Sequence, residues 1–203
     1  AKLRAERRRE ELDIERIQRY IDNDRAQVGS SADSLVYSLD TTVDKRSISK
    51  AIDTVDQWSR RFPGAPITIK INSPGGSVFE GLALYDRLRA LSALGHHITT
   101  VSYGLAASMG GILLQAGDTR LVAPNAWFLI HEVSTITWGN TSEIEDQIEF
   151  TRRLQDQLLE ILASRSKLSK AKIAKKWKKT DWWLDAKETV SLGFADGFLG
   201  GQS

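Results

Sequence analysis

Apolar and polar positions change period several times along this chain, and each change marks an element. Leu35 to Leu39 alternates in the manner of a strand. From Ser47 to Arg61, the apolar positions Ile48, Ala51, Ile52, Val55 and Trp58 recur every three or four residues, which predicts a helix capped by Ser47. Pro63-Gly-Ala-Pro66 ends it, Ile67 to Ile71 is a second strand, and Asn72-Ser-Pro-Gly-Gly76 a turn. Val78 to Leu94 returns to helical spacing through Leu82, Leu84, Tyr85, Leu88 and Leu91. Ile98 to Tyr103 is a third strand, followed by a short apolar helix from Ser108. Arg120 to Ala123, Trp127 to His131 and Val133 to Trp138 are expected as further short strands. Thr141 to Ser166 predicts a long helix capped by Ser142, with Ile144, Ile148, Leu154, Leu158 and Ile161 along one face. The basic stretch Lys167 to Lys179 is expected as a short helix with solvated lysines. Trp182 to Leu184 is apolar again, and Ala186 to Leu192 predicts a last helix stopped by Gly193. Strands alternating with helices imply an α/β layer fold around a mostly parallel sheet.

The ends differ from this pattern. Residues 1–30 form a charged arm and linker, helical in pattern, with only Leu3, Ile14, Ile17 and Ile21 as an apolar stripe. So thin a stripe makes an exposed arm, or one that touches another subunit or a partner. The globular domain is expected over 31–199, with 200–203 a flexible tail. The chain has 203 residues, 41% hydrophobic and 27% charged, enough for one domain with a real core. A net charge of +2 gives no pull toward nucleic acid. The absence of cysteine excludes disulfides and thiolate chemistry and agrees with a cytoplasmic setting. Three histidines, two of them the adjacent pair His96-His97, argue against a metal centre. No apolar run approaches the ~20 residues that span a bilayer, and no signal peptide is visible at the charged N-terminus.

Against this background one stretch carries chemistry. Around Ser108, the small residues Gly104, Ala106, Ala107, Gly110 and Gly111 leave room for another backbone to approach. A helix beginning there directs free N–H groups at the hydroxyl, an arrangement suited to acyl transfer. The nucleophile needs a base. His96 and His97 sit at a polar turn and are expected to be exposed, whereas His131 ends a strand and is the plausible base. For the orienting carboxylate, Asp181, Asp185 and Asp196 remain open on chemistry alone. The glycine-rich turn Asn72 to Ser77 lacks the lysine of a phosphate-binding loop, and its backbone is suited to an oxyanion or an extended peptide.

Four segments carry a family resemblance: Ile71-Asn-Ser-Pro-Gly-Gly-Ser-Val78, Gly104-Leu-Ala-Ala-Ser-Met-Gly110, Leu129-Ile-His131, and Thr180-Asp181 followed by Ala186-Lys-Glu188 and Gly193-Phe-Ala-Asp196. In this order, from about Leu35 to Phe198, the chain resembles the ClpP family of serine peptidases. The resemblance implies a ClpP/crotonase-like spiral of β-β-α units with a long handle helix. It implies a triad of Ser108, His131 and Asp181 and an oxyanion hole from the N–H groups of Gly76 and Met109. The backbone of Gly75, Ser77, Val78 and Val133 would clamp the substrate. It further implies an endopeptidase acting on unfolded polypeptide inside a homo-oligomeric ring, a heptamer or double heptamer, fed by an ATP-driven AAA+ unfoldase, with no cofactor or metal of its own. The family commonly has glutamine and proline where Glu132-Val133 stands here, and a more polar pair at Trp182-Trp183; the charged arm is unlike its usual N-terminal segment. These departures keep three other readings in view: a phage-type capsid-maturation relative without an unfoldase, a crotonase-like acyl-CoA enzyme, and a catalytically silent ring component.

Overall fold

The computed structural model describes residues 35–178 and 180–201; the predicted arm and the last two residues of the tail lie outside them. Strand β1 (Leu35–Leu39) leads to α1 (Lys45–Arg61), β2 (Ile67–Ser73), α2 (Val78–Ala93), β3 (Ile98–Ala107) and α3 (Met109–Leu114). Then come β4 (Thr119–Val122), β5 (Trp127–Ile130), α4 (Thr141–Ser164), α5 (Lys170–Trp177), β6 (Trp182–Leu184), α6 (Ala186–Ser191) and β7 (Gly197–Phe198). The strands pair in the order β1-β2-β3-β4-β7, all in parallel, while β5 pairs with β3 and β6. Only β5 and β6 run antiparallel. The fold is the expected mostly parallel α/β spiral with its long helix, α4.

The spiral originates in β3. Its first half, from Ile98, lies between β2 and β4. Its second half, Leu105 to Ala107, pairs instead with Trp127 to Leu129 of β5. Between the halves stands Gly104 at φ 73, where a Cβ would come within 2.9 Å of the Asn72 side-chain oxygen. Only glycine accepts both the backbone angle and that approach. The β2–β3 register also shifts between Ile71 and Ser73, which bends the pair further.

The core follows the predicted stripes. Ile48, Ala51, Val55 and Trp58 of α1, with Leu84, Leu88 and Leu91 of α2, are buried against Ile67, Ile69 and Ile71 of β2. Every residue of α3 is buried. A buried arginine ties the C-terminal elements together. Arg120 donates to the Gln115 side-chain oxygen at 2.7 Å, to the Gly193 carbonyl at 3.0 Å and to the Asp196 carboxylate. Burial without partners would be costly for a guanidinium, and here the acceptors surround it.

Several local expectations are corrected. Helix α1 is capped by Asp44, with Ser47 completing the capping box from its third position. Helix α4 is capped by Asn140 with Glu143 as its box partner, so Ser142 lies inside the first turn. In both cases the residue whose side chain turns back to the free N–H groups begins the helix earlier than the serine suggested. Val133 to Trp138 forms no strand, since among the described residues no strand is paired with it. His96 is buried: its Nδ1 donates to the Ala65 carbonyl at 2.7 Å, and Nε2 accepts from the Ser59 hydroxyl at 2.9 Å. Two satisfied ring nitrogens make that burial affordable. His97 is exposed as expected.

Candidate active site

Strand β3 runs directly into Ser108, whose φ of 54 and ψ of −120 interrupt the extended chain before α3 begins at Met109. Among the described residues it is the one non-glycine with positive φ. Such a conformation costs about 1–3 kcal/mol and persists only where its surroundings hold it. Here they do. The Ser108 N–H donates to the Leu129 carbonyl at 2.8 Å, while its own carbonyl accepts from Gly111 at 3.0 Å.

The small residues around it are explained by what approaches them. A Cβ on Gly110 would lie 3.0 Å from the Ser73 carbonyl oxygen, and one on Gly111 3.1 Å from the Phe128 ring. The glycine-rich turn then closes over the serine. At Gly75, with φ 92, a Cβ would meet Ser108 Cβ at 2.6 Å and Met109 N at 3.0 Å. The turn is pinned from outside by Val43, whose N–H donates to the Gly75 carbonyl at 2.8 Å and whose carbonyl accepts from Ser77 at 2.7 Å.

A cavity of about 270 Å³ opens in front of Ser108. Gly76, Val78, Met109, Val133 and Ser134 line it, with the apolar side chains of Ile112, Ile130, Leu158, Leu162 and Trp177 and with Pro74, His131 and Glu132. Strand pairing accounts for His131 being there: Ala107 pairs with Leu129, so the residues that follow on β3 and β5 emerge side by side. The His131 Nδ1 lies 2.6 Å from the Glu132 carbonyl oxygen. A carbonyl can only accept, so the ring proton belongs on Nδ1 and the Nε2 lone pair is left available. Glu132 itself accepts from the Gln155 side chain of α4 at 3.5 Å.

The structure thus brings Ser108, His131, Gly76, Met109, Val78 and Val133 to one cavity; Gly75 and Ser77 belong to the turn that borders it. Asp181 is exposed and does not line the cavity. The β5–β6 ladder ends at Ile130↔Trp182, and His131 and Asp181 are the residues that flank that end on the two strands. The two competing aspartates are engaged elsewhere. Asp185 caps α6 through the Glu188 N–H at 2.8 Å. Asp196 is held by Arg120; burial pushes its pKa up, but the Arg120 hydrogen bonds outweigh this and keep it below the usual carboxylate value. Trp177 and the α4 residues Leu158 and Leu162 were not expected at the site; helical spacing marked only Leu158, as part of one face of the long helix, and Trp177 lay within the basic stretch.

In class this is an α/β spiral in which a strained serine and a strand-end histidine face one cavity. The Clp protease family model matches residues 31–201, and the chain belongs to that family, one of serine endopeptidases. It is 35% identical over 136 residues to an ATP-dependent Clp protease proteolytic subunit of Deinococcus radiodurans, covering 66% of this chain and 65% of that protein. To the subunit of the same name in Leuconostoc citreum it is 38% identical over 141 residues, 68% of each chain. To ATP-dependent Clp protease proteolytic subunit 3 of Streptomyces coelicolor it is 33% identical over 169 residues, 81% of this chain and 75% of that one. Among the described residues no helix is long and apolar enough to cross a membrane.

Proposed function

We propose that this chain hydrolyses peptide bonds of unfolded polypeptides through an acyl-enzyme, with Ser108 as nucleophile, His131 as general base and then acid, and Asp181 as the orienting carboxylate. The observation that carries the reading is Ser108 held at φ 54 against the cavity that His131 also lines. As Ser108 Oγ attacks the scissile carbonyl carbon, its proton passes to His131 Nε2. The oxyanion is met by the N–H groups of Gly76 and Met109; the first N–H groups of a helix have no intrahelical acceptor, so that of Met109 is available. The imidazolium returns the proton to the leaving amine. Water then attacks the acyl carbon as it gives a proton to His131, and His131 returns that proton to Ser108 Oγ as the bond to the acyl group breaks and the acid departs. The backbone of Val78 and Val133 holds the substrate as an added strand, while Gly75 and Ser77, bonded to Val43, shape the turn beside it.

In this reading the Nδ1–H moves from the Glu132 carbonyl to the Asp181 carboxylate when the segment after His131 is repositioned. A homo-oligomeric ring, a heptamer or double heptamer, would supply the contacts that reposition it. Ile136 and Trp138 in the segment, and Ile148 and Phe150 on α4, are exposed large apolar side chains in the lone subunit, as an unfilled interface would leave them. The relatives' names speak of ATP-dependent proteolysis, which favours an AAA+ unfoldase as partner and a cytoplasmic setting. The test is fluorophosphonate labelling of each species separated by native mass spectrometry, alongside peptide hydrolysis. The expected adduct is on Ser108, with Ser108→Ala inactive. An adduct elsewhere, together with an active Ser108→Ala variant, refutes the reading.

A further inference from the structure

From Ile161 to Thr180 the chain carries many basic side chains and not one carboxylate. Two of these lysines are already committed. Lys167 donates to the Ser191 carbonyl at 3.0 Å, and Lys170 is paired with Asp156 at 2.7 Å and with Glu160. Lys172, Lys175 and Lys176 form no ion pair among the described residues, and all three are exposed. Their spacing of three and four puts them on one face of α5, where like charges repel by a few tenths of a kcal/mol. That face borders a groove of about 750 Å³, separate from the catalytic cavity. Its floor is Leu168, Trp182, Leu184 and Leu192. Lys176 also lies over the Trp182 ring, 5.8 Å from its centre. The one acid in the lining, Glu188, is held in the α6 capping box by the Asp185 N–H at 3.0 Å, and one carboxylate against three ammoniums leaves the rim net positive.

We propose that this groove docks an acidic peptide segment of a partner protein, with an apolar side chain seated on the leucine floor and carboxylates meeting Lys172, Lys175 and Lys176. Charge decides the sign of the occupant, and an apolar floor requires an apolar anchor beside the charge. Nucleic acid fits less well. The groove has one indole and three leucines where single strands need a succession of stacking rings, and three ammoniums on one bank do not track a phosphate chain. The opposite side of α5 is buried through Ile173 and Trp177, and Trp177 lines the catalytic cavity. A docked partner would therefore sit one helix, about 10 Å, from the cleft.

The test is fluorescence anisotropy of the full chain at low salt with a labelled twelve-residue peptide of alternating Glu or Asp and Leu or Phe. Three controls accompany it: the Gln/Asn analogue, an acidic peptide with Ser in place of the apolar residues, and a single-stranded DNA of equal length. The acidic, apolar peptide is expected to bind, to weaken with salt, and to bind at least tenfold better than any control. Lys172→Gln with Lys175→Gln should weaken it about tenfold, since each such charge is worth up to about a factor of five. The corresponding Arg pair should restore binding, and peptide hydrolysis should not change. Absence of binding, equal binding of the neutral or serine peptide, stronger binding of the DNA, or an unaltered Gln variant overturns the proposal. None of these outcomes bears on the roles of Ser108 and His131.

Discussion

Gly75→Ala tests how closely the glycine-rich turn is fitted to the nucleophile. Two separate costs apply. The native φ of 92 is one that a residue with a side chain rarely adopts, and occupying it costs about 1–2 kcal/mol. The new Cβ would also stand 2.6 Å from Ser108 Cβ and 2.8 Å from the Ala107 carbonyl oxygen. Ordinary contact begins near 3.4 Å, so the turn or the serine must retreat by most of an ångström; such overpacking costs about 1–3 kcal/mol. The variant should therefore lose about 2–5 kcal/mol in urea unfolding. Activity should fall more than stability alone implies, because a displacement of about 1 Å at a reacting centre costs about 100-fold. Gly64→Ala is the control. Its φ of 75 carries similar backbone strain, but no atom lies within 4 Å of the added methyl, so it should lose about 1–2 kcal/mol and keep wild-type kcat/KM. The assays are peptide hydrolysis and the rate of fluorophosphonate labelling for both variants at equal folded fraction. If Gly75→Ala labels and hydrolyses at the wild-type rate, the turn does not position the serine and the reasoning fails.

Asp118 and Asp196 should give the fold an acid-sensitive component. In Asp118, burial raises the pKa, but the Ile98 N–H, Arg89 and Ser92 together hold it below 3.8; in Asp196, burial is likewise outweighed by Arg120. Their folded values lie below the unfolded one, so the stabilisation is complete above about pH 4 and is lost as pH falls through the folded values. Urea midpoints measured from pH 6 to 2 should show this slope, and Asp196→Asn should flatten it; an unchanged slope counts against the assignment. His96→Ala should cost about 2–4 kcal/mol, since it opens a void and strips the Ala65 carbonyl and Ser59 hydroxyl of their partner; a denaturation curve within 0.5 kcal/mol of wild type contradicts this. Asn140→Ala removes the α4 cap and should cost about 1 kcal/mol, with faster amide exchange in the first turn of α4, whereas Ser142→Ala, one residue into the helix, should not.

Much of the layer structure was visible as periodicity. Alternation marked β1 and the start of β2, and the 3–4 spacing marked α1, α2 and α4, because burying one face imposes that repeat wherever the element lies. Motifs marked Ser108, His131 and the glycine turn. What escaped depended on partners far along the chain. Val133 to Trp138 has a strand-like composition, yet a strand exists only where another offers hydrogen bonds. Strand β7 is two residues long and is recognisable only beside β4. His96 looked like a turn residue until Ser59 and Ala65 closed around it.

Taken by itself, the sequence determined the class of fold, the small residues that a strained serine needs, and a family whose motifs stand in order. Residue chemistry alone did not choose among Asp181, Asp185 and Asp196, and only the family resemblance pointed to Asp181. Tertiary structure added what the other two are engaged in: Arg120 holds Asp196, and Asp185 caps α6. Local spacing records which face of an element is buried. Which side chains meet across a cavity is set by strand register and long-range closure, and those are properties of the folded chain.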